Sequence, residues 1–124
     1  MPAEGLLRKE TRLFIPRGKR LYCLRRVIHT AEANLSLQVL PAVAEGEIYD
    51  IVDQVIAMVA DSGLKYIVGP LETSIEGDLD TLLELVKKAQ NICIAAGAPR
   101  VISIIKIDYK PDGVTMDEKI GKYH

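Results

Sequence analysis

YIVGPLETSIEGD, Tyr66 to Asp78, reads as two short β-strands joined by a Gly-Pro turn, with a helix start directly behind them. Leu64 to Val68 is rich in Tyr, Ile and Val, the composition of a strand. Gly69-Pro70 turns the chain. Leu71 to Glu76 reads as the next strand, and its polarity is unusual. Glu72, Thr73, Ser74 and Glu76 put two carboxylates and two hydroxyls where a core strand needs none. Gly77 stops the strand, and Asp78 has the short acceptor side chain of a helix N-cap. The elements on either side decide what fold this run belongs to.

Upstream, Ala33 to Leu40 alternates: Leu35, Leu37 and Val39 point one way, Asn34, Ser36 and Gln38 the other. Period two means a strand with one apolar face, and Pro41 ends it. Glu45 to Ser62 then changes to helical period, with Ile48, Ile51, Val52, Val55 and Val59 on one stripe. Glu45, Glu47 and Asp50 gather near its start, where the helix dipole favours negative charge. Gly63 follows at the place of a left-handed cap.

Downstream, Leu79, Leu82, Leu83, Val86, Ala89, Cys93 and Ala96 make the stripe of a second helix. Gly97 ends it and Pro99 prevents its resumption. Arg100 to Asp108 is a fourth strand, apolar at nearly every position, as expected when both faces are covered. After the Pro111-Asp112-Gly113 turn, Thr115 to Tyr123 predicts a short terminal helix, with Thr115 and Glu118 as a capping box.

The order is strand, helix, strand, strand, helix, strand. That predicts an α+β, ferredoxin-like βαββαβ sandwich, an antiparallel sheet with two helices on one face. Right-handed crossovers put both helices on the same side. The first and third strands take the centre, and the second and fourth the edges.

The other face is then left open. Ser36, Gln38, Ser74 and Glu76 belong to it if Leu35 and Ile75 face the helices. On the fourth strand, parity does not decide whether Ile102, Ile104 and Lys106 or Val101, Ser103, Ile105 and Ile107 meet the helices. Either way an apolar row adjoins polar rows, too apolar to stay bare in a monomer and too polar for a second core. Pairing of two subunits through their sheets, enclosing small polar pockets, satisfies both. A carboxylate such as Glu76 in such a pocket needs a partner, which a cationic or strongly donating ligand supplies. The plainer alternative leaves Glu76 solvated at a strand end, Ser36 and Gln38 hydrated, and Lys106 and Asp108 as a surface ion pair. Glu72 reads as solvated. Thr73 has the wrong parity for the open face unless a bulge at the turn re-aims it.

Composition narrows the function. The 124 residues are 48% hydrophobic and 27% charged, with five Tyr, one Phe and no Trp. So few rings argue against a base-stacking nucleic-acid surface. No apolar run approaches the length of a membrane span. The two histidines, His29 and His124, lie in the N-terminal segment and at the last residue, so a positioned imidazole base is not expected. The glycines form no phosphate loop. Cys23 and Cys93 show no metal spacing; Cys93 reads as a buried core thiol and the pair fits a reducing cytoplasm.

Charge is unevenly spread. Residues 1–30 carry a net of +6 and the other 94 a net of −7. The basic segment, residues 1–32, predicts a poorly ordered extension, or translated sequence upstream of the true start; a nucleic-acid arm and a transit peptide are the other readings, the latter weakened by the absence of Ser. Residues 33–124 form the one folded domain.

Three motifs, SLQVLP (Ser36 to Pro41), GPLETSIEGD (Gly69 to Asp78) and AGAPRVISIIKID (Ala96 to Asp108), resemble the thiamine-binding proteins of the MTH1187/YkoF-like group, formerly UPF0045 and DUF77. Asp61 to Tyr66 resembles that family's helix-to-strand join. The likeness covers about 90 of the 124 residues. It implies the ferredoxin-like fold, dimers and tetramers built through the sheets, and binding of thiamine or its hydroxymethylpyrimidine part, without catalysis, cofactor or metal; composition adds the expectation of no nucleic-acid or membrane partner. On that reading Glu76 accepts from the exocyclic amine, and Ser36, Gln38, Thr73 or Ser74 complete the pyrimidine edge. Lys106 meets Glu76 or binds an anion. The acidic domain would favour the thiamine cation over its diphosphate. A homo-oligomeric regulatory or protein-interaction domain without thiamine is the alternative.

Overall fold

A computed structural model describes residues 31–124. Residues 1–30 of the basic segment, with Cys23 and His29, lie outside them. The elements follow the expected order: β1 (Ala33–Pro41), α1 (Glu45–Asp61), β2 (Lys65–Val68), β3 (Thr73–Gly77), α2 (Leu79–Ala95) and β4 (Val101–Tyr109). A short α3 (Met116–Ile120) and a 3-10 turn, Gly121–Tyr123, complete the chain. The sheet is antiparallel, in the order β2-β3-β1-β4. Four strands with α1 and α2 on one face make this a ferredoxin-like α+β sandwich.

Local chemistry sets the boundaries. The Asp78 carboxylate accepts from the Thr81 amide at 3.0 Å and from its hydroxyl at 2.9 Å, capping α2. The Leu79 amide, a second orphan donor of the same helix end, goes to the Glu32 carboxylate at 3.2 Å. Thr115 and Glu118 form the reciprocal capping box of α3. Gly63 has φ 79°, the left-handed conformation that lets the chain leave α1 and enter β2. At the hairpin, the Gly69 amide donates to the Glu72 carbonyl at 2.8 Å. A Cβ on Gly69 would stand 3.0 Å from that carbonyl. Pro70 and Leu71 form the tip, so β3 begins at Thr73, two residues later than the sequence pattern suggests.

The core lies between the sheet and the two long helices. Leu35, Leu37, Val39 and Ile75 meet Ile51, Val55, Val59, Leu82, Leu85, Ala89 and Cys93. The α1 stripe is the expected one. The α2 stripe is shifted: Leu85 is buried, whereas Leu83 and Ala96 are exposed. Cys93 is a fully buried free thiol, and desolvation pushes its pKa up. On β4, Val101, Ser103, Ile105 and Ile107 take the helix side, since they pair with Pro41, Val39, Leu37 and Leu35.

Beyond the two helices, the open face is not bare. From Lys110 the chain turns at Gly113 and crosses back over it. The Lys110 and Val114 amides donate to the Glu32 and Ala31 carbonyls, each at 2.8 Å. Hydrogen bonding of the domain thus starts two residues before β1.

Candidate functional site

Register places four rows across the open face. Lys65, Glu76, Asn34 and Asp108 form one; Ile67, Ser74, Ser36 and Lys106 the next; then Gln38 with Ile104, and Leu40 with Ile102. α3 settles over the first of these rows. The Glu76 carboxylate accepts the Met116 amide at 2.6 Å. The Asn34 amide donates to the Val114 carbonyl at 3.3 Å. Lys65 pairs with Asp117 and Lys119 with Asp108, each at 2.6 Å. Met116 is buried by this docking.

Beneath the edge of α3 the second row is only partly covered. A cavity of about 300 Å³ lies there, at the small end of ligand-pocket sizes. Asn34, Ser36 and Ser74 line its floor; Ile67, Met116 and Ile120 give it apolar walls; Glu72, Lys106, Asp108 and Lys119 stand among its charged lining residues. Lys106 and Glu72 approach to 3.8 Å, with the Lys106 side chain 73% exposed. Two carboxylates face two ammonium groups, so the lining is charge-balanced, and the acidity of the domain as a whole does not select the ligand's charge here. Hydroxyls on the floor and apolar walls suit a small flat heterocycle with polar edges.

The expected site residues divide. Ser36, Ser74 and Lys106 come together at the cavity. Gln38 lies one row further along, outside its lining, opposite Ile104. Thr73 is on the helix side, paired with Leu37 and buried, because the hairpin closes without a bulge. Glu76 faces the open side as its parity requires, but its carboxylate holds the Met116 amide and it does not line the cavity. Lys106 meets neither Asp108 nor Glu76; its partner is Glu72, which the hairpin tip carries to the cavity and away from a solvated strand position. Asn34, Glu72, Met116, Lys119 and Ile120 were not expected in the site. Asn34 shares the parity of Ser36; the α3 residues had no signal beyond the capping box.

Among the described residues no cluster of three or more His, Cys, Asp or Glu side chains is placed to hold a metal. No helix there is long and apolar enough to cross a membrane.

Comparison with known proteins places this geometry. Residues 35–124 match the model of the family described as thiamine-binding protein. The chain belongs to that family. The UPF0045 protein of Clostridium perfringens is 60% identical over 90 residues, which is 73% of this chain and 95% of that one. A solved DUF77 domain from Bacillus cereus superposes with TM-score 0.71 at 46% identity, covering 77% of this chain and 92% of that one. A Thermotoga maritima protein, described as a candidate for thiamine biosynthesis or salvage, has TM-score 0.70 and 33% identity, covering 75% and 99%. The family match takes in both strands of the hairpin and all of α3, the elements that wall the cavity.

Proposed function

We propose that the protein binds thiamine, or its hydroxymethylpyrimidine part, without catalysis, in the cavity between the open sheet face and α3. The carrying observation is that a member of a thiamine-binding family has a cavity of matching chemistry on the face its third strand leaves polar. The Ser36 and Ser74 hydroxyls donate to and accept from the pyrimidine edge. Ile67, Met116 and Ile120 sandwich the ring. Glu72, held only loosely by Lys106, is the carboxylate available to the exocyclic amine or the thiazolium charge. Glu76 serves the site by holding its roof. Lys106 at the mouth is free to swing toward an anionic substituent.

Leu40, Ile102 and Ile104 extend the open face beyond the cavity and are 43%, 49% and 48% exposed. Apolar exposure over these two adjoining rows supports packing of a second copy's sheet there, with Gln38 on the seam and the cavities at the subunit interface. The same patch favours the second reading, a homo-oligomeric regulatory domain without thiamine. A free, buried Cys93 thiol fits a cytoplasmic protein.

Titration calorimetry with thiamine, hydroxymethylpyrimidine and thiamine diphosphate tests the proposal. Thiamine or the pyrimidine should bind in the micromolar range. If none of the three binds tighter than about 1 mM, roughly −4 kcal/mol, the second reading takes its place.

A further inference from the structure

The charged groups lining the cavity are held in two unlike ways. Lys119 is hydrogen-bonded to Asp108 at 2.6 Å. Lys106 and Glu72 stop at 3.8 Å, beyond the length of a hydrogen bond. Among the described residues this is the only contact that the charge of either side chain makes.

The two side chains are rooted on opposite sides of β1. In the order β2-β3-β1-β4, β3 and β4 flank it. Lys106 pairs with Ser36. Glu72 comes just before Thr73, which pairs with Leu37, so it stands beyond the row of Ser74 and Ser36. Their contact therefore crosses β1 between Ser36 and Gln38, as a bar over the open face. The cavity lies on one side of it and the row of Gln38 and Ile104 on the other. The lining agrees, since it includes Ser36 and Ser74 and leaves out Gln38 and Ile104. The bar is weak. Its side chains are 73% and 40% exposed, so water and salt screen the attraction. A ligand that brings Glu72 a better-placed cation opens it.

We propose that the Lys106–Glu72 contact is a gate that makes the site specific for the whole thiamine cation over its pyrimidine part alone. This deepens the reading of the cavity as a thiamine-family site and rests on it. The pyrimidine fills the cavity over Ser36 and Ser74, and the thiazolium ring passes the bar toward Gln38 and Ile104. A thiazolium ring carries its charge without an N–H. It needs a carboxylate nearby, at ion-pair distance, and no hydrogen-bond geometry. Glu72 offers that. Lys106 is its competitor: it faces Glu72 when no cation is present and swings to solvent, on a stem already largely exposed, when one arrives. The two residues thus act with opposite sign. Glu72 raises the affinity for a charged ring and Lys106 lowers it, while neither bears on the uncharged hydroxymethylpyrimidine.

The test titrates thiamine and hydroxymethylpyrimidine into the full chain by calorimetry, at low and at high salt. Wild type should bind thiamine about fivefold tighter than the pyrimidine at low salt, the upper end for an exposed ion pair, and salt should erode that preference while sparing the pyrimidine. In Glu72→Gln the preference should fall to within about twofold. In Lys106→Met, which keeps the apolar stem, it should grow by about twofold. Equal binding of the two compounds to wild type overturns the proposal and leaves the proposed function standing. A fivefold preference that survives in Glu72→Gln, or that salt does not touch, also overturns it. So does a weaker preference in Lys106→Met, which would make Lys106 a support for the ligand and not a competitor. Failure of both compounds to bind wild type overturns this proposal and the proposed function alike. The salt comparison needs no variant, so the question stays decidable if a variant does not fold.

Discussion

The two faces of the sheet are closed by different chemistry. On one, Leu35, Leu37, Val39 and Ile75 are sealed by two 17-residue helices through apolar contact alone. On the other, the five-residue α3 buries the one side chain of Met116 and is otherwise held by one carboxylate-to-amide bond, one side-chain amide bond to Val114 just before it and two exposed ion pairs. Each fully buried aliphatic side chain contributes about 1.5–3 kcal/mol, whereas an exposed ion pair contributes about 0–1. The helix face therefore carries stability. The open face should loosen locally without unfolding the domain, as the roof of the proposed ligand cavity would require.

The hardest way to break this contrast is to attack the core. Leu82 is 0% exposed, and Leu82→Ala should cost about 2–5 kcal/mol in chemical denaturation, from lost transfer energy plus the cavity left behind. A loss near that of an α3 variant would show that the faces are not so different.

Glu76→Ala tests the other side. It removes the acceptor of the Met116 amide, a charge-assisted bond at 2.6 Å. Its cost should be about 1–3 kcal/mol, and it should be local. Hydrogen exchange should quicken at Met116 and the rest of α3 while the amides of β1 keep their protection. Quickened exchange through β1 would mean that the strap and the core unfold together.

The helix face was largely legible in the sequence because its signal is periodic and local. Alternation in Ala33–Leu40 and the stripe of α1 each lie within one element, and Gly63, Asp78 and Thr115 mark their boundaries by their own backbone chemistry. The phase of α2 was not legible to the residue. Leu82, Leu83, Leu85 and Val86 offer two overlapping stripes, and only packing against β1 and β4 chooses the one that buries Leu85 and exposes Leu83. The site was legible in part. Parity put Ser36 and Ser74 on one face but left Lys106 open until the register paired it with Ser36, and nothing local to Glu72 says that it leaves the strand, since that follows from the Gly69–Glu72 closure. Nothing local to Glu76 says that its partner is the amide of Met116, 40 residues on. Thr73 was misplaced for a related reason: its residue type suited a polar pocket while its parity sent it to the core.

The smallest expected effect concerns the Lys65–Asp117 latch. The hydrogen bond to Asp117 raises the Lys65 pKa, with the Asp117 and Glu76 charges adding to it against the opposing desolvation. A raised value means that the folded protein holds this proton longer than the unfolded chain. The latch's contribution is complete below the ordinary lysine pKa of about 10.4 and disappears only as pH rises through the higher folded value. Across neutral pH the roof should therefore be indifferent to pH at this corner. Carbon-detected titration of the lysine side chains should find Lys65 titrating above an unpaired lysine, and Asp117→Asn should bring it back toward the ordinary range. An unchanged midpoint in Asp117→Asn would mean that the ion pair is not formed in solution, and that the Glu76–Met116 and Asn34–Val114 bonds hold that edge of α3 without it.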